Sequence, residues 1–205
     1  MIKFCKTGTA AVVAGALLMG GCQTTTQYID STDQTKNITA GLSNADFEKA
    51  ADDAVSEMMA SPLLVHPNAT AGGRYVIAVS EVTNDTMQRI STEQIAKKIR
   101  VQLLKTGKFL ATSAIGATKD KMVVDVRNLQ ESSVVNKQTA KGNNVVMPDF
   151  ALSGKIIQAN NRLDNGDQRV EYYFQLTLTN LENGLAYFES ETVIGKVTDG
   201  STVTW

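Results

Sequence analysis

The sequence predicts an α+β or α/β sandwich, with helices flanking a mixed sheet of about five strands that ends in a three-stranded antiparallel meander. Three observations carry this. Val170–Thr179 alternates strictly, with Val170, Tyr172, Phe174, Leu176 and Leu178 on one face and Glu171, Tyr173, Gln175, Thr177 and Thr179 on the other. That is the period of a strand with one face in a core. A matching alternation of Phe150, Leu152, Gly154 and Ile156 precedes it, and Leu185–Ile194 follows a Glu182-Asn183-Gly184 reversal, where Asn-Gly tolerates the positive φ of a hairpin turn. Upstream, the pattern reads helix, strand, helix, strand, helix.

Residues 1–21 read as a targeting segment. Lys3 and Lys6 precede the apolar run Ala10–Leu18, and Gly20 and Gly21 stand directly before Cys22. The thirteen apolar or small residues from Thr9 to Gly21 are too few to cross a bilayer as a mature helix. A cysteine at that boundary resembles a bacterial lipoprotein signal, with Met19 where such signals usually carry Leu. The resemblance implies cleavage before Cys22 and acylation of its thiol. Gln23 in place of Asp implies sorting to the outer membrane, lipid-anchored and facing the periplasm.

Two of the chain's 20 basic residues lie in that segment, which leaves 18 against 21 acidic residues, a net charge of −3. Such a balance offers no basic field for nucleic acid. Cys22 is the only cysteine outside the signal, so no disulfide can form within one chain and the fold must hold by core packing. Residues 22–42 are dominated by Thr, Gln, Asp, Ser and Asn and read as a flexible polar tether, since they bury too little to offset ordering entropy. Residues 43–205, about 160 residues, suffice for one globular domain.

Within that domain, Ser43 or Asn44 can cap a helix with Phe47, Ala51, Ala54, Val55, Met58 and Met59 along one side, ended by Pro62. Tyr75–Val79 is apolar on both faces, as in an interior strand. Asn84-Asp85 suggests a loop. Ser91 and Gln94 suggest a capping box before a second helix carrying Ile95, Ile99, Leu103 and Leu104, stopped by Gly107 at C′. Lys108–Thr112 is a brief strand. Asp120–Val134 has Met122, Val123, Val126 and Leu129 at helical spacing, and Asn136–Asn144 is a polar loop. Asn160–Gln168, with Asn165-Gly166, is the turn into the central strand of the meander.

Little chemistry is visible. His66 is the only histidine, and no nucleophile-elbow sequence is present to partner it. One histidine and no free cysteine do not make a metal site. Asp52-Asp53, Glu171 and the pair Glu189 and Glu191 are the obvious carboxylates, the last two on one strand face. They read as solvated charges rather than a glycosidase pair. Gly154-Lys155 lacks the upstream Gly and following Ser/Thr of a phosphate loop. The sequence therefore points to no catalytic, cofactor or metal residue and to no enzyme class. Cys22 is the one site residue it singles out, for lipidation.

Pro148-Asp149-Phe150-Ala151-Leu152-Ser153-Gly154-Lys155-Ile156, followed by Tyr172–Thr179 and Asn183-Gly184-Leu185-Ala186, resembles the LpoB family. Val79–Asn84, Ile99–Leu104 and Lys105–Phe109 add to the likeness, which covers roughly Phe47–Lys196. The resemblance implies a domain similar to the amino-terminal domain of TolB. It also implies an outer-membrane lipoprotein that binds the periplasmic regulatory domain of a bifunctional, class A penicillin-binding protein and stimulates peptidoglycan synthesis. Two features differ from some members: the tether is short and has no proline, and Asn136–Asn144 is shorter and more polar. The family's partner-contact residues lie outside the matched motifs, so none is carried over. A structural or assembly lipoprotein of a cell-envelope complex, such as a surface organelle or secretion system, is the other reading a domain of this kind allows.

Acylation at Cys22 is directly testable by metabolic labelling with a fatty acid. Wild type should take up the label and Cys22→Ser should not, because only the thiol accepts the diacylglyceryl group. A Cys22→Ser protein that still carried label would contradict the assignment.

Overall fold

The computed structural model describes residues 28–33, 35, 38–131 and 145–202. The chain divides into two compact units, Met1–Asp30 and Ser31–Trp205, and every element below belongs to the second. The order is α1 (Asn44–Ala60), β1 (Tyr75–Asp85), α2 (Thr92–Lys105), β2 (Phe109–Ala111), α3 (Lys121–Glu131), β3 (Phe150–Arg162), β4 (Gln168–Asn180) and β5 (Ala186–Thr198). Two short 3₁₀ turns, Pro62–Leu64 and Ala69–Ala71, lie between α1 and β1. The five strands form one mixed sheet ordered β2-β1-β3-β4-β5. β1 runs parallel to both β2 and β3, and β3-β4-β5 is antiparallel. The fold is α+β, and β4 is the middle strand of the meander.

The two faces of β4 fall as its alternation requires. Val170, Tyr172, Phe174, Leu176 and Leu178 are buried, while every residue between them is partly exposed. The ladder sets Leu152, Gly154 and Ile156 of β3 and Phe188 and Ile194 of β5 beside them on the same face. α1 and α2 cover this face together: Phe47, Ala51, Ala54 and Val55 of α1 and Ile95, Ile99 and Leu103 of α2 join one core cluster with Ile77, Val79, Ile156, Phe174 and Leu176. The Phe47 ring meets Phe174 edge to face at 6.1 Å. Lys98 of α2 donates to Glu48 of α1 at 2.8 Å, and that hydrogen bond holds the Glu48 carboxyl below its ordinary value. Gly154 leaves room where a Cβ would come within 2.8 Å of the Leu176 side chain.

Helix ends follow the expected chemistry. Ser43 caps α1 in a full capping box with Asp46. At α2 only half of the expected capping box forms: Ser91 Oγ accepts from Gln94 N at 3.4 Å, with no return bond to the Gln94 side chain among the described residues, and Gly107, at φ +68°, stops the helix. Both hairpin turns use a positive-φ glycine, Gly166 and Gly184.

Several expectations are corrected. Asn84-Asp85 is not a loop. β1 absorbs a bulge between Val79 and Val82 and stays in the ladder, pairing Asn84 with Ile156 and Asp85 with Ile157, and Lys155 ion-pairs with Asp85 at 2.8 Å. The Asn84 side chain still makes a turn, accepting from Thr86 N just past the strand. The turn expected over Asn160–Gln168 tightens to 163–167, because β3 and β4 pair as far as Arg162 and Gln168. β5 runs past Ile194 to Thr198. Leu104 is exposed rather than part of the α2 stripe. α3 forms, but Met122, Val126 and Leu129 are exposed, and among the described residues α3 has no extensive packing of the kind that α1 and α2 make. The helix tail expected at 132–134 and the Asn136–Asn144 loop lie outside the described residues, as do the signal, Cys22 and residues 23–27, 34, 36 and 37 of the predicted tether.

The last residues of that tether segment are bound to the domain. Lys196 Nζ donates to Thr39 O at 3.0 Å, Gly41 O at 2.6 Å and Asp46 Oδ2 at 2.6 Å. That uses all three donors of the ammonium. Tyr172 Oη donates to Ala40 O at 3.3 Å and accepts from Gln88 Nε2 at 3.2 Å, while Gln88 Oε1 accepts from Leu42 N at 2.9 Å. Burial, with the Asp46 charge adding to it, pushes the Tyr172 phenol up.

Two stability predictions follow from this packing. Phe174→Ala or Leu176→Ala should cost about 2–5 kcal/mol, and Thr177→Ala, on the open face, under about 1 kcal/mol. Equal urea midpoints would show the faces misassigned. Lys196→Met should cost about 1–3 kcal/mol, because it leaves the partly buried Asp46 carboxylate without its cation. It should also speed amide exchange at Ala40–Leu42, whereas Lys49→Met, in an exposed pair, should do neither. Unchanged exchange at Ala40–Leu42 in the Lys196 variant would contradict the clamp.

Candidate interaction surface

The residues that sequence inspection weighed for catalysis are not brought together. His66 sits in the loop after α1, where its Nδ1 accepts from Asn68 N at 3.0 Å and its ring meets Tyr75 edge to face at 4.8 Å. Tyr75 in turn meets Phe150, and Phe150 meets Tyr187, so His66 ends a row of aromatic contacts. Glu189 and Glu191 lie on the face of the sheet that α1 and α2 leave open. Each has a cross-strand neighbour: Thr177 Oγ1 reaches Glu189 at 3.5 Å and Gln175 Nε2 donates to Glu191 at 2.7 Å. On the same face Arg169 pairs with Glu171, which also accepts from Tyr173 Oη at 3.2 Å. Burial first, and then Glu171, push the Tyr173 phenol up. These charges satisfy one another along the strands. Among the described residues no group of three or more His, Cys, Asp or Glu side chains is placed to hold a metal ion. Nor is any helix there long and apolar enough to cross a membrane.

A different surface stands out on electrostatic grounds. Lys97, Arg100, Val101 and Leu104 recur at three- and four-residue spacing and so share one side of α2, opposite Ile95, Ile99 and Leu103 in the core. Facing them is the segment from Ser113 to Lys121 that links β2 to α3, and the two enclose an open groove of about 480 Å³. Arg100 ties the walls together: Nη1 donates to Thr118 O at 3.2 Å, and Nη2 to Ala111 O at 3.3 Å and to Ser113 Oγ. Its guanidinium is partly buried and meets carbonyls and a hydroxyl, but no carboxylate among the described residues. Arg100 Nε and Thr118 Oγ1, both in this wall, are buried without a hydrogen-bond partner among the described residues.

Around that cation stand Lys97, Lys119 and Lys121, all exposed and none of them ion-paired among the described residues. The groove's one acid, Asp120, spends an oxygen on Met122 N at 2.9 Å. Val101 and Leu104 are 39% and 42% exposed between the cations, and Met122 follows on α3 at 66%. The result is a positive groove with an apolar floor. Sequence inspection singled out neither Arg100 nor these lysines. The available signal was the polar side of α2, whose charges recur at the same spacing as its core residues.

A cavity of about 300 Å³ lies between the end of α1 and the residues just past α2, lined by Met58, Leu64, His66, Arg74 and Lys108 among others.

The comparisons with known proteins bear on the whole domain. No curated protein matches the chain. Among solved structures, the C-terminal domain of LpoB from Escherichia coli is 16% identical, covering 74% of this chain and 99% of that one at a TM-score of 0.46. The C-terminal domain of LpoB from Salmonella enterica is 15% identical, covering 73% and 98% at 0.42. Lipoprotein GNA1162 from Neisseria meningitidis is 12% identical, covering 62% and 87% at 0.39. The family model of the peptidoglycan-synthase activator LpoB matches residues 46–194, from the first turn of α1 into β5. On that match the chain belongs to the LpoB family.

Proposed function

We propose that this protein is a lipid-anchored outer-membrane lipoprotein that binds a class A penicillin-binding protein through its periplasmic regulatory domain and activates it, with no chemistry of its own. The observation that carries this reading is the family match over residues 46–194. The arrangement of side chains supports it. His66, Glu171, Glu189 and Glu191 are held in structural contacts, and Arg100 with three exposed lysines lines one groove.

An activator of this kind acts by holding the active state of the synthase more tightly than the inactive one. Each tenfold preference shifts that equilibrium by about 1.4 kcal/mol. By linkage, the active synthase holds the lipoprotein more tightly in return. The anchor on Cys22 and the residues after it would set reach and effective concentration. Because Lys196, Tyr172 and Gln88 bind residues 39–42, the free tether would end near residue 38. Its sixteen residues could span at most about 55 Å fully extended.

The test is to mix the unlipidated mature chain, Gln23–Trp205, with the class A synthases of its own organism and lipid II. This span keeps the clamp residues that a start at Ser43 would remove. At least one synthase should polymerise glycan faster and bind the chain at micromolar concentration. If none does, the activator reading fails and the envelope-assembly reading replaces it.

A further inference from the structure

The groove between α2 and the Ser113–Lys121 segment combines features that a purely structural groove does not need. Arg100 is a permanent cation held partly out of water, and among the described residues it is ion-paired to no carboxylate. Taking a charge from water is costly unless an opposite charge meets it. Lys97, Lys119 and Lys121 add three charges that form no ion pair among the described residues, and the groove's one acid, Asp120, accepts from Met122 N through one oxygen. Four cations and one carboxylate line the same groove, so its positive potential favours an anion from outside. Val101 and Leu104 lie exposed between the cations, which suits a protein surface that brings apolar contact along with charge. The opposite surface of the domain, across β3–β5, lacks this character. Its carboxylates already have neighbours donating to them.

We propose that this groove is the docking surface for an acidic protein partner, whose carboxylates meet Arg100 and the three lysines while an apolar side chain of the partner packs on Val101 and Leu104. This rests on the activator reading and deepens it, by stating the chemistry of the synthase surface that the domain meets. Charge complementarity of this kind steers encounter and fixes register. Apolar contact at the centre of an interface, shielded from water, holds the complex once formed.

The experiment measures binding of the full-length lipoprotein, solubilised in detergent, to its organism's class A synthases at low and at physiological salt. Four proteins are compared: wild type, the triple variant Lys97→Glu/Lys119→Glu/Lys121→Glu, Leu104→Ser, and the double variant Glu189→Lys/Glu191→Lys on the open sheet face. Wild-type affinity should fall as salt rises. The triple variant should bind about tenfold more weakly or worse, mainly through slower association. Leu104→Ser should dissociate faster, and the Glu189/Glu191 variant should bind like wild type. All the substituted side chains are exposed, and unchanged urea midpoints would confirm that the fold is intact.

A triple variant that binds as tightly as wild type overturns the proposal and leaves the activator reading standing. So does loss of binding in the Glu189/Glu191 variant alone. If the triple variant instead loses attachment to phosphatidylglycerol vesicles while binding synthase normally, the groove is a lipid-headgroup site and the proposal is equally overturned. Wild type that binds no synthase at all removes both readings together.

Discussion

The architecture depends on one constraint, that β4 can bury only one of its two faces. Five large apolar side chains, from Val170 to Leu178, point the same way, and a one-residue slip of the strand would turn all of them out. Their burial is worth about 1.5–3 kcal/mol per side chain, so the register is strongly held. β4 is paired along almost its whole length on both sides, and it therefore imposes its parity on β3 and β5. α1 and α2 must come to that side. The open side keeps Tyr173, Gln175, Thr177, Glu189 and Glu191, which satisfy one another across the strands.

That constraint decides where the proposed docking surface can be. Both helices spend one side on the sheet, so α2 turns its other side to solvent. There the spacing that places Ile95, Ile99 and Leu103 inward also aligns Lys97, Arg100 and Leu104 outward. Arg100 then fixes the segment after β2 to α2 through three acceptors. A cation used in this way is a structural strut and a source of positive potential together. An activator needs such a surface more than it needs a cleft, because its effect comes from differential binding to two states of its partner.

Much of the fold was legible because its signals are local. The alternation of Val170–Thr179, the Ser43 cap, the stop at Gly107 and the Asn-Gly reversals each depend on a few neighbouring residues. What was not legible depends on distant pairings. The bulge in β1 exists because β3 continues to pair past it, and nothing near Asn84 announces that. Lys196 reads as one charge at the start of a polar C-terminal stretch until folding brings it to Asp46 and the carbonyls of Thr39 and Gly41. The stripe on α3 shows that helical periodicity identifies a helix without saying whether a neighbour covers it. Arg100 was missed for the same reason, since its three acceptors lie 11 to 18 residues away. Cys22, by contrast, was singled out from its local setting alone.

The central claim is that α1 and α2 take one face of the sheet and that the outward side of α2 meets the synthase. Hydrogen–deuterium exchange of the full-length lipoprotein, with and without its class A synthase, tests this across the molecule in one measurement. The expected result is slowed exchange in α2 and in Thr112–Met122 on adding synthase, with β4 slow in both states. Protection confined to the outer edge of β5, with α2 and Thr112–Met122 unchanged, would contradict it.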